Sequence, residues 1–199
     1  MRLLDRKSFD NWLETAEVIE QDQYGIKVMR LDDGTFLKLF RRKTLLSKNT
    51  LFPHAKRFAG NAHKLHSMGI PCPTILDLYK MRRPYRSVVH YEPLPGDTLR
   101  QVLENATPSR QVEVMSQLGS FVSRLHDLGV YFRSLHMGNI ILTPQGELGL
   151  IDISDMRCLG RPLSKWMRKR NYQHLLRYAE DWEQVQPVAH ASFMMSLLQ

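Results

Sequence analysis

Cysteine is scarce in this chain: two in 199 residues, Cys72 and Cys158. They stand far apart and match no metal or redox spacing, so a reducing cytosol is the expected setting. Apolar runs are short. None reaches the roughly 18 residues that a membrane span needs, and no signal peptide pattern opens the sequence. The expectation is a soluble protein, or one that lies on a membrane without crossing it. Internal repeats and low-complexity segments are also absent. Acidic residues are the scarcer charge, 20 against 28 Lys and Arg, for a net charge of +8. That balance favours an anionic partner such as a nucleotide, a phospholipid, a phosphorylated glycan or a nucleic acid. A hydrophobic share of 43% with 24% charged residues suits one domain or one compact two-lobed unit.

What is present reads as strands first and helices later. A short helix is expected at Lys7–Thr15. In "EVIEQDQYGIKVMRLDDGTFLKLF", turn signals at Tyr24-Gly25 and Asp32-Asp33-Gly34 separate β-prone runs, which predicts a three-stranded antiparallel meander. Ala55–Met68 places Phe58, Ala62, Leu65 and Met68 at helical period, closed by Gly69. Two more strands, "GIPCPTILDLY" and "YRSVVHYEPL", meet around Arg83-Pro84. "LPGDTLRQVLEN" gives a short helix. The long helix that follows has Thr107 as N-cap and Pro108 at N1, with Val112, Met115, Leu118, Val122 and Leu125 expected inward. A hairpin turning at Pro144-Gln145-Gly146 and a basic helix from about Leu163 to Tyr178 complete the chain. The fold class is α+β. The division falls near Glu92–Asp97, giving an N-terminal lobe over 1–92 and a helical C-terminal lobe over 93–199.

One constellation carries chemistry. Asn139 opens the strand "NIIL", and Asp152, thirteen residues on, closes the strand "LGLID", so a hairpin can bring the two side chains together. Both are hard oxygen ligands of the kind that hold Mg²⁺. Lys38 alternates with apolar residues in "FLKLF", and an inward lysine on such a strand is costly unless it meets an anion. A strand lysine for nucleotide phosphates with an Asn and an Asp for metal is the equipment of phosphoryl transfer, which depends on positioning and charge neutralisation. Each residue alone has a plainer reading, an edge lysine in solvent or a turn-capping Asn or Asp.

These stretches resemble the protein-kinase-like proteins, and among them the bacterial lipopolysaccharide core kinases, the Kdo/heptose group with its toluene-tolerance relatives. The resemblance covers roughly residues 16–180. "RFAGNAHKLHSMGIPCPTIL" is similar to the group's αC helix and next strand, "LHDLGVYFRSLHMGNIIL" to its catalytic loop, and "LGLIDISD" to its metal-binding strand. It implies a small antiparallel-sheet N-lobe and a shortened helical C-lobe, with ATP and Mg²⁺ as cofactors. Lys38 would bind phosphates, Asn139 and Asp152 the metal, and His90–Leu94, with Glu92 and Leu94, would face adenine. His136 falls where related loops place a phosphate-proximal side chain, and is otherwise a loop histidine.

Three departures accompany the likeness. The expected nucleotide-covering loop, "EQDQYGIKV", has one glycine, Gly25. The αC position that usually carries the lysine-pairing Glu is Asn61. Ser134 stands where the catalytic Asp belongs. Ser can orient an acceptor hydroxyl but is a poor base at neutral pH. His136 is the candidate substitute, and Asp155 is a further one that "ISD" is expected to point outward.

The segment from Met156 to Ala179 has seven Lys and Arg and no acid, with Trp166, Met167, Tyr172, Leu175, Leu176 and Tyr178 interleaved. That suits anionic lipid headgroups or phosphorylated sugars, and its plain alternative is a solvated helix face. DNA is not expected, and no nucleic-acid motif supports RNA. The leading expectation is an ATP-dependent kinase of lipopolysaccharide core sugars at the inner face of the cytoplasmic membrane, impaired by Ser134. Its rival is a pseudokinase that binds nucleotide or glycolipid without turnover. A RIO-type RNA-associated protein is the third reading. The apolar stretch "PVAHASFMMSLLQ" has no readable role.

Overall fold

The computed structural model describes residues 1–41 and 53–198. The chain forms two compact units, one made of Met1–His63 and Pro73–Pro93 and the other of Lys64–Cys72 and Leu94–Gln199. The class is α+β, as expected.

The first unit contains β1 (Arg2–Leu3), α1 (Arg6–Thr15), β2 (Glu17–Asp22), β3 (Gly25–Arg30), β4 (Phe36–Arg41), most of α2 (His54–Ser67), β5 (Thr74–Arg82) and β6 (Tyr85–Glu92). The strands make one six-stranded sheet in the order β1-β5-β6-β4-β3-β2. The meander β2-β3-β4 is present and antiparallel, and Gly25 at its first turn adopts φ +112°, a conformation that L side chains rarely adopt. A short strand was not anticipated: β1 joins the far edge parallel to β5, so the sheet is mixed.

Strand β4 is covered on both faces, which is why "FLKLF" reads as a nearly continuous apolar run. On one face Leu37 and Leu39 pack with Met29, Met81, Val88 and Leu4, and α1 lays Phe9, Trp12 and Leu13 over them. Helix α1 starts where the Asp5 carboxylate accepts from the Ser8 backbone N–H at 2.9 Å, an N-cap that also holds the Asp5 carboxyl below its usual range. The other face carries Lys38 with its cross-strand neighbours Val28 and Val89. It is flanked by Phe40 and Tyr91, against which α2 sets Phe58 (ring centroids 6.4 and 5.5 Å).

The second unit holds β7 (Asp97–Thr98), α3 (Leu99–Glu104), α4 (Pro108–Asp127), β8 (Val130–Tyr131), β9 (Ile140–Leu142), β10 (Leu148–Leu150), β11 (Arg157–Cys158), α5 (Lys165–Leu175), α6 (Ala179–Glu183) and α7 (Pro187–Leu197). Thr107 caps α4 through the Arg110 N–H, with Pro108 in the first turn. Its core face is Val114, Met115, Leu118, Phe121, Val122 and Leu125, all buried. The expected Val112 is only half-buried, and Gln111 is buried in its place. The Gln111 amide donates to the Leu103 and Gln184 carbonyls and accepts from the Gln186 N–H, so a polar residue fills a core position by satisfying three backbone groups. The apolar C-terminal stretch forms α7 and packs on α4. Gly119 permits the approach, since a Cβ there would overlap the Phe193 carbonyl oxygen.

The basic helix ends at Leu175, three residues before the expected limit, and Tyr178 is instead the N-cap residue of α6. Its interleaved apolar residues divide. Leu175 is buried and Tyr172 stacks on Phe193, while Trp166 stays 66% exposed with the Arg170 guanidinium 5.3 Å from its ring. Arg168 is committed inside the unit, donating to Asp127 at 2.6 Å and to the Leu163 carbonyl.

Candidate active site

The loop from β8 to β9 is built on alternation. Phe132, Leu135 and Met137 are fully buried and clamp it, while Arg133, Ser134 and His136 stand between them. The buried Asn171 of α5 donates to the Phe132 carbonyl at 2.6 Å, fixing where the loop starts. A 3-10 turn, Met137–Asn139, ends it and leads into β9.

Asn139 is 9% exposed, and its amide N–H₂ donates to the Ser134 carbonyl at 2.9 Å, so the amide plane is fixed and its oxygen is the atom suited to a cation. Its own carbonyl accepts from the Ile151 N–H at 3.0 Å, one step beyond the Leu150–Ile140 register of the β9–β10 hairpin. The hairpin thus carries Asp152 to the end that Asn139 occupies. Asp152 has φ 49° and ψ 42°, the single non-glycine residue with positive φ among the described residues. That conformation costs of order 1–3 kcal/mol and collects at functional positions.

The left-handed residue has a second effect. It turns the chain directly into the 3-10 turn Ile153–Asp155, which brings Asp155 back toward the loop. The Ser134 hydroxyl donates to Asp155 Oδ2 at 2.7 Å, and Asp155 Oδ1 is buried and accepts no hydrogen bond among the described residues. The outward placement expected for Asp155 is therefore corrected. A strand extended through "ISD" would alternate outward, but the backbone leaves extended geometry at Asp152.

His136 caps the 3-10 turn, its Nδ1 accepting from the Gly138 N–H at 3.2 Å. In a neutral imidazole the other nitrogen, Nε2, then carries the proton, which makes the ring a donor rather than a base. Burial lowers its pKa, opposed by the Asp181 charge and assisted by Arg100. Tyr178 meets the ring edge-on at 4.7 Å. Arg100 lies beside Gly138, 5.8 Å from the Tyr178 ring, and donates through Nε to Asp181, which is completely buried. Sequence reasoning did not find Arg100, Tyr178 or Asp181. Arg100 and Asp181 are 81 positions apart, and nothing local marks them as a pair.

The remaining candidates are placed as follows. Lys38 is half-buried on β4, its Nζ 6.0 Å from the Phe40 ring. Asn61 is 7% exposed on α2, three residues after Phe58. Glu92 is exposed at the end of β6. The His90 side chain faces α1, with Nε2 2.7 Å from Thr35 Oγ1 and its ring against Trp12, so it is engaged inside the first unit. Leu94 covers Gly149 of β10, where a Cβ would meet the Leu94 side chain at 2.5 Å and the Pro71 carbonyl at 2.6 Å. Ser134, His136, Asn139 and Asp152 are thus brought together within the second unit, whereas Lys38, Asn61 and Glu92 belong to the first. Among the described residues no three His, Cys, Asp or Glu gather as a metal site. A cation at Asn139 and Asp152 would take its other oxygens from ligand phosphates and water. A groove of about 600 Å³ along α4, lined by Arg110, Glu113, Gln117 and Ser192, contains none of these residues. No described helix is long and apolar enough to cross a membrane.

Residues 15–193 match the family described as "Lipopolysaccharide kinase (Kdo/WaaP) family". The chain is similar to the 3-deoxy-D-manno-octulosonic acid kinase of Xylella fastidiosa strain M12, 35% identical over 117 residues. The same-named protein of strain 9a5c is 34% identical over 117 residues. Each match covers 57% of this chain and 45% of the relative, so the aligned stretch spans about half the length of these curated relatives.

Proposed function

The chain belongs to the lipopolysaccharide kinase (Kdo/WaaP) family, and on that premise we propose that it transfers the γ-phosphate of ATP to a sugar hydroxyl of a lipopolysaccharide core. The acceptor sugar we propose is 3-deoxy-D-manno-octulosonic acid or a close neighbour of it, in line with the names of its relatives. The observation that carries this reading is the Asn139–Asp152 arrangement: two hard oxygen donors at one end of one hairpin, the Asn amide locked by the Ser134 carbonyl and the Asp held in a left-handed conformation. That donor set fits Mg²⁺. When bound, the metal would neutralise charge on the nucleotide phosphates.

The chain's own residues take the following roles in this proposal. Lys38 binds phosphates, with Asn61 on the helix that covers its face of the sheet. Glu92 and Leu94 border the adenine. His136 offers its Nε2–H to a phosphoryl oxygen, in keeping with the neutral ring that burial favours. Arg100 and Arg177 add positive charge near that histidine.

We also assign the exposed Trp166, Lys169 and Arg170 on α5 to contact with an anionic membrane surface, which would place the protein at the inner face of the cytoplasmic membrane. Each basic residue near such a surface is worth about 1 kcal/mol. Arg168 is left out of this set because Asp127 already holds it. Replacing Lys169 and Arg170 by Gln should weaken binding to anionic liposomes. Binding that is unchanged and insensitive to salt would remove the assignment.

A second reading, a pseudokinase, is favoured by one observation, the Ser at position 134. Incubation with ATP–Mg²⁺ and purified core lipopolysaccharide separates the two. Phosphate recovered on the sugar supports the kinase. Stabilisation by ATP–Mg²⁺ with no phosphorylated product from the core, with or without its terminal 3-deoxy-D-manno-octulosonic acid, supports the pseudokinase.

A further inference from the structure

The loop that should carry a carboxylate has Ser134, and the residue to which that serine donates is a carboxylate. Asp155 arrives from a different segment, three residues beyond the metal-side Asp152. It reaches Ser134 Oγ at 2.7 Å, a strong hydroxyl-to-carboxylate hydrogen bond. A surface Asp bonded by chance to a serine would have both oxygens wet. Asp155 instead has Oδ1 buried and without a hydrogen-bond donor among the described residues, so Ser134 is the group that satisfies its carboxylate. Both backbones are also fixed. Asn139 grips the Ser134 carbonyl, the buried Leu135 follows, and Asp155 ends a 3-10 turn between buried Ile153 and Met156. His136 does not compete for the role, because its Nδ1 already accepts from Gly138.

We propose that Ser134 and Asp155 together replace the missing loop carboxylate, with Ser134 touching the acceptor hydroxyl and Asp155 acting through it as the positioning residue that takes the proton. The inference rests on the phosphotransfer reading. Ser134 Oγ gives its hydrogen to Asp155 Oδ2, which leaves an oxygen lone pair for the acceptor O–H. As the acceptor oxygen bonds to the γ-phosphorus, the bond from that phosphorus to the bridging oxygen breaks and its electron pair leaves with ADP. The acceptor's proton passes to Ser134 Oγ while the serine's own proton passes to Asp155 Oδ2. Asp155 later returns its proton to water. Charge and atoms balance with ATP and the acceptor as the only co-reactants. The serine hydroxyl is a poor base by itself, and the adjacent carboxylate supplies the basicity it lacks.

The test is steady-state kinetics of the full chain with ATP–Mg²⁺ and purified core lipopolysaccharide, alongside nucleotide-induced thermal shifts. Asp155→Asn keeps the side-chain shape and removes the charge. It should lower kcat by about 10²–10³-fold, leaving KM for ATP and the ATP-induced shift as in the wild type. Ser134→Ala should match it, and the double variant should be no worse than either single one, because coupled residues lose their effect together. The exchange Ser134→Asp with Asp155→Asn should recover most of the loss, which a merely structural role for Asp155 would not allow. If Asp155→Asn retains wild-type kcat, or the two losses multiply, the relay is wrong while the kinase reading stands. If Asp155→Asn does not fold, Ser134→Ala decides alone, and unchanged kcat overturns the relay. If the wild type is stabilised by ATP–Mg²⁺ but phosphorylates no core acceptor, the kinase reading fails and the relay with it.

Discussion

The β2–β3 hairpin and the β8–β9 loop are both segments where the family resemblance puts phosphate chemistry, and they are held in opposite ways. Strand β2 is exposed over nearly its whole length. Across it run surface ion pairs, Lys27–Glu20 at 2.8 Å and Arg30–Glu17 at 2.9 Å, with every partner at least two-fifths exposed. Such pairs contribute roughly 0–1 kcal/mol each. The loop, by contrast, is nailed down by three fully buried side chains, and its polar atoms bond to the buried Asn171 of α5 and to the half-buried Asp155 of the Ile153–Asp155 turn. The difference teaches where precision is needed. Under the proposed function, a hairpin that covers the ligand could open at little cost, whereas groups that would meet a reacting hydroxyl within a fraction of an ångström require a packed support.

Four measurements test this contrast. The largest effect is expected on the loop side. Leu135→Ala should destabilise the protein by about 2–5 kcal/mol in chemical denaturation, the range for deleting a fully buried leucine side chain. A loss under 1 kcal/mol would mean that the loop is not clamped as described. Next, Arg100→Ala strands the buried Asp181 carboxylate, whose Oδ2 accepts no hydrogen bond among the described residues, and should cost about 3 kcal/mol. A neutral result would show that water replaces the guanidinium.

Acid comes third. Burial pushes the His126 imidazole down to about 4, with the Asn171 side chain opposing and Arg168 assisting. A histidine with a depressed native pKa favours the fold while it is neutral, so the contribution is complete above pH 6.5. It is lost as pH falls from about 6.5 toward 4, where the unfolded chain takes up a proton that the native one refuses. The loss approaches about 3 kcal/mol. His126→Gln should flatten stability across that range in denaturation titrations, and an unchanged acid slope would assign the sensitivity elsewhere. The smallest effect belongs to the hairpin, where Lys27→Ala should shift stability by under about 0.5 kcal/mol. A loss of 2 kcal/mol would erase the contrast.

The residues explain why some of this was legible in the sequence and some was not. The meander announced itself because Tyr24-Gly25 and Asp32-Asp33-Gly34 are turn chemistry between alternating runs, and α4 because Thr107-Pro108 is an N-cap followed by N1. Both signals are local. Asn139 and Asp152 were legible as a pair because a hairpin of ordinary length separates them. Gln111 was missed because its burial depends on backbone groups of residues 103, 184 and 186. Asp155 was misplaced because only the left-handed backbone at Asp152 turns it inward, and Asp adopts that conformation without any sequence marker. The Arg100–Asp181 pair depends on α6 folding back to the start of α3, a tertiary fact with no short-range trace.

Ligand-induced stabilisation tests most directly the proposal that Lys38 binds nucleotide phosphates and Asp152 holds the metal. With ATP–Mg²⁺ at about a hundred times its dissociation constant, the wild type should gain about 2.7 kcal/mol of stability, and Lys38→Met and Asp152→Ala should each lose most of that gain. A wild-type protein that shows no nucleotide-dependent shift at millimolar ATP–Mg²⁺ would contradict it.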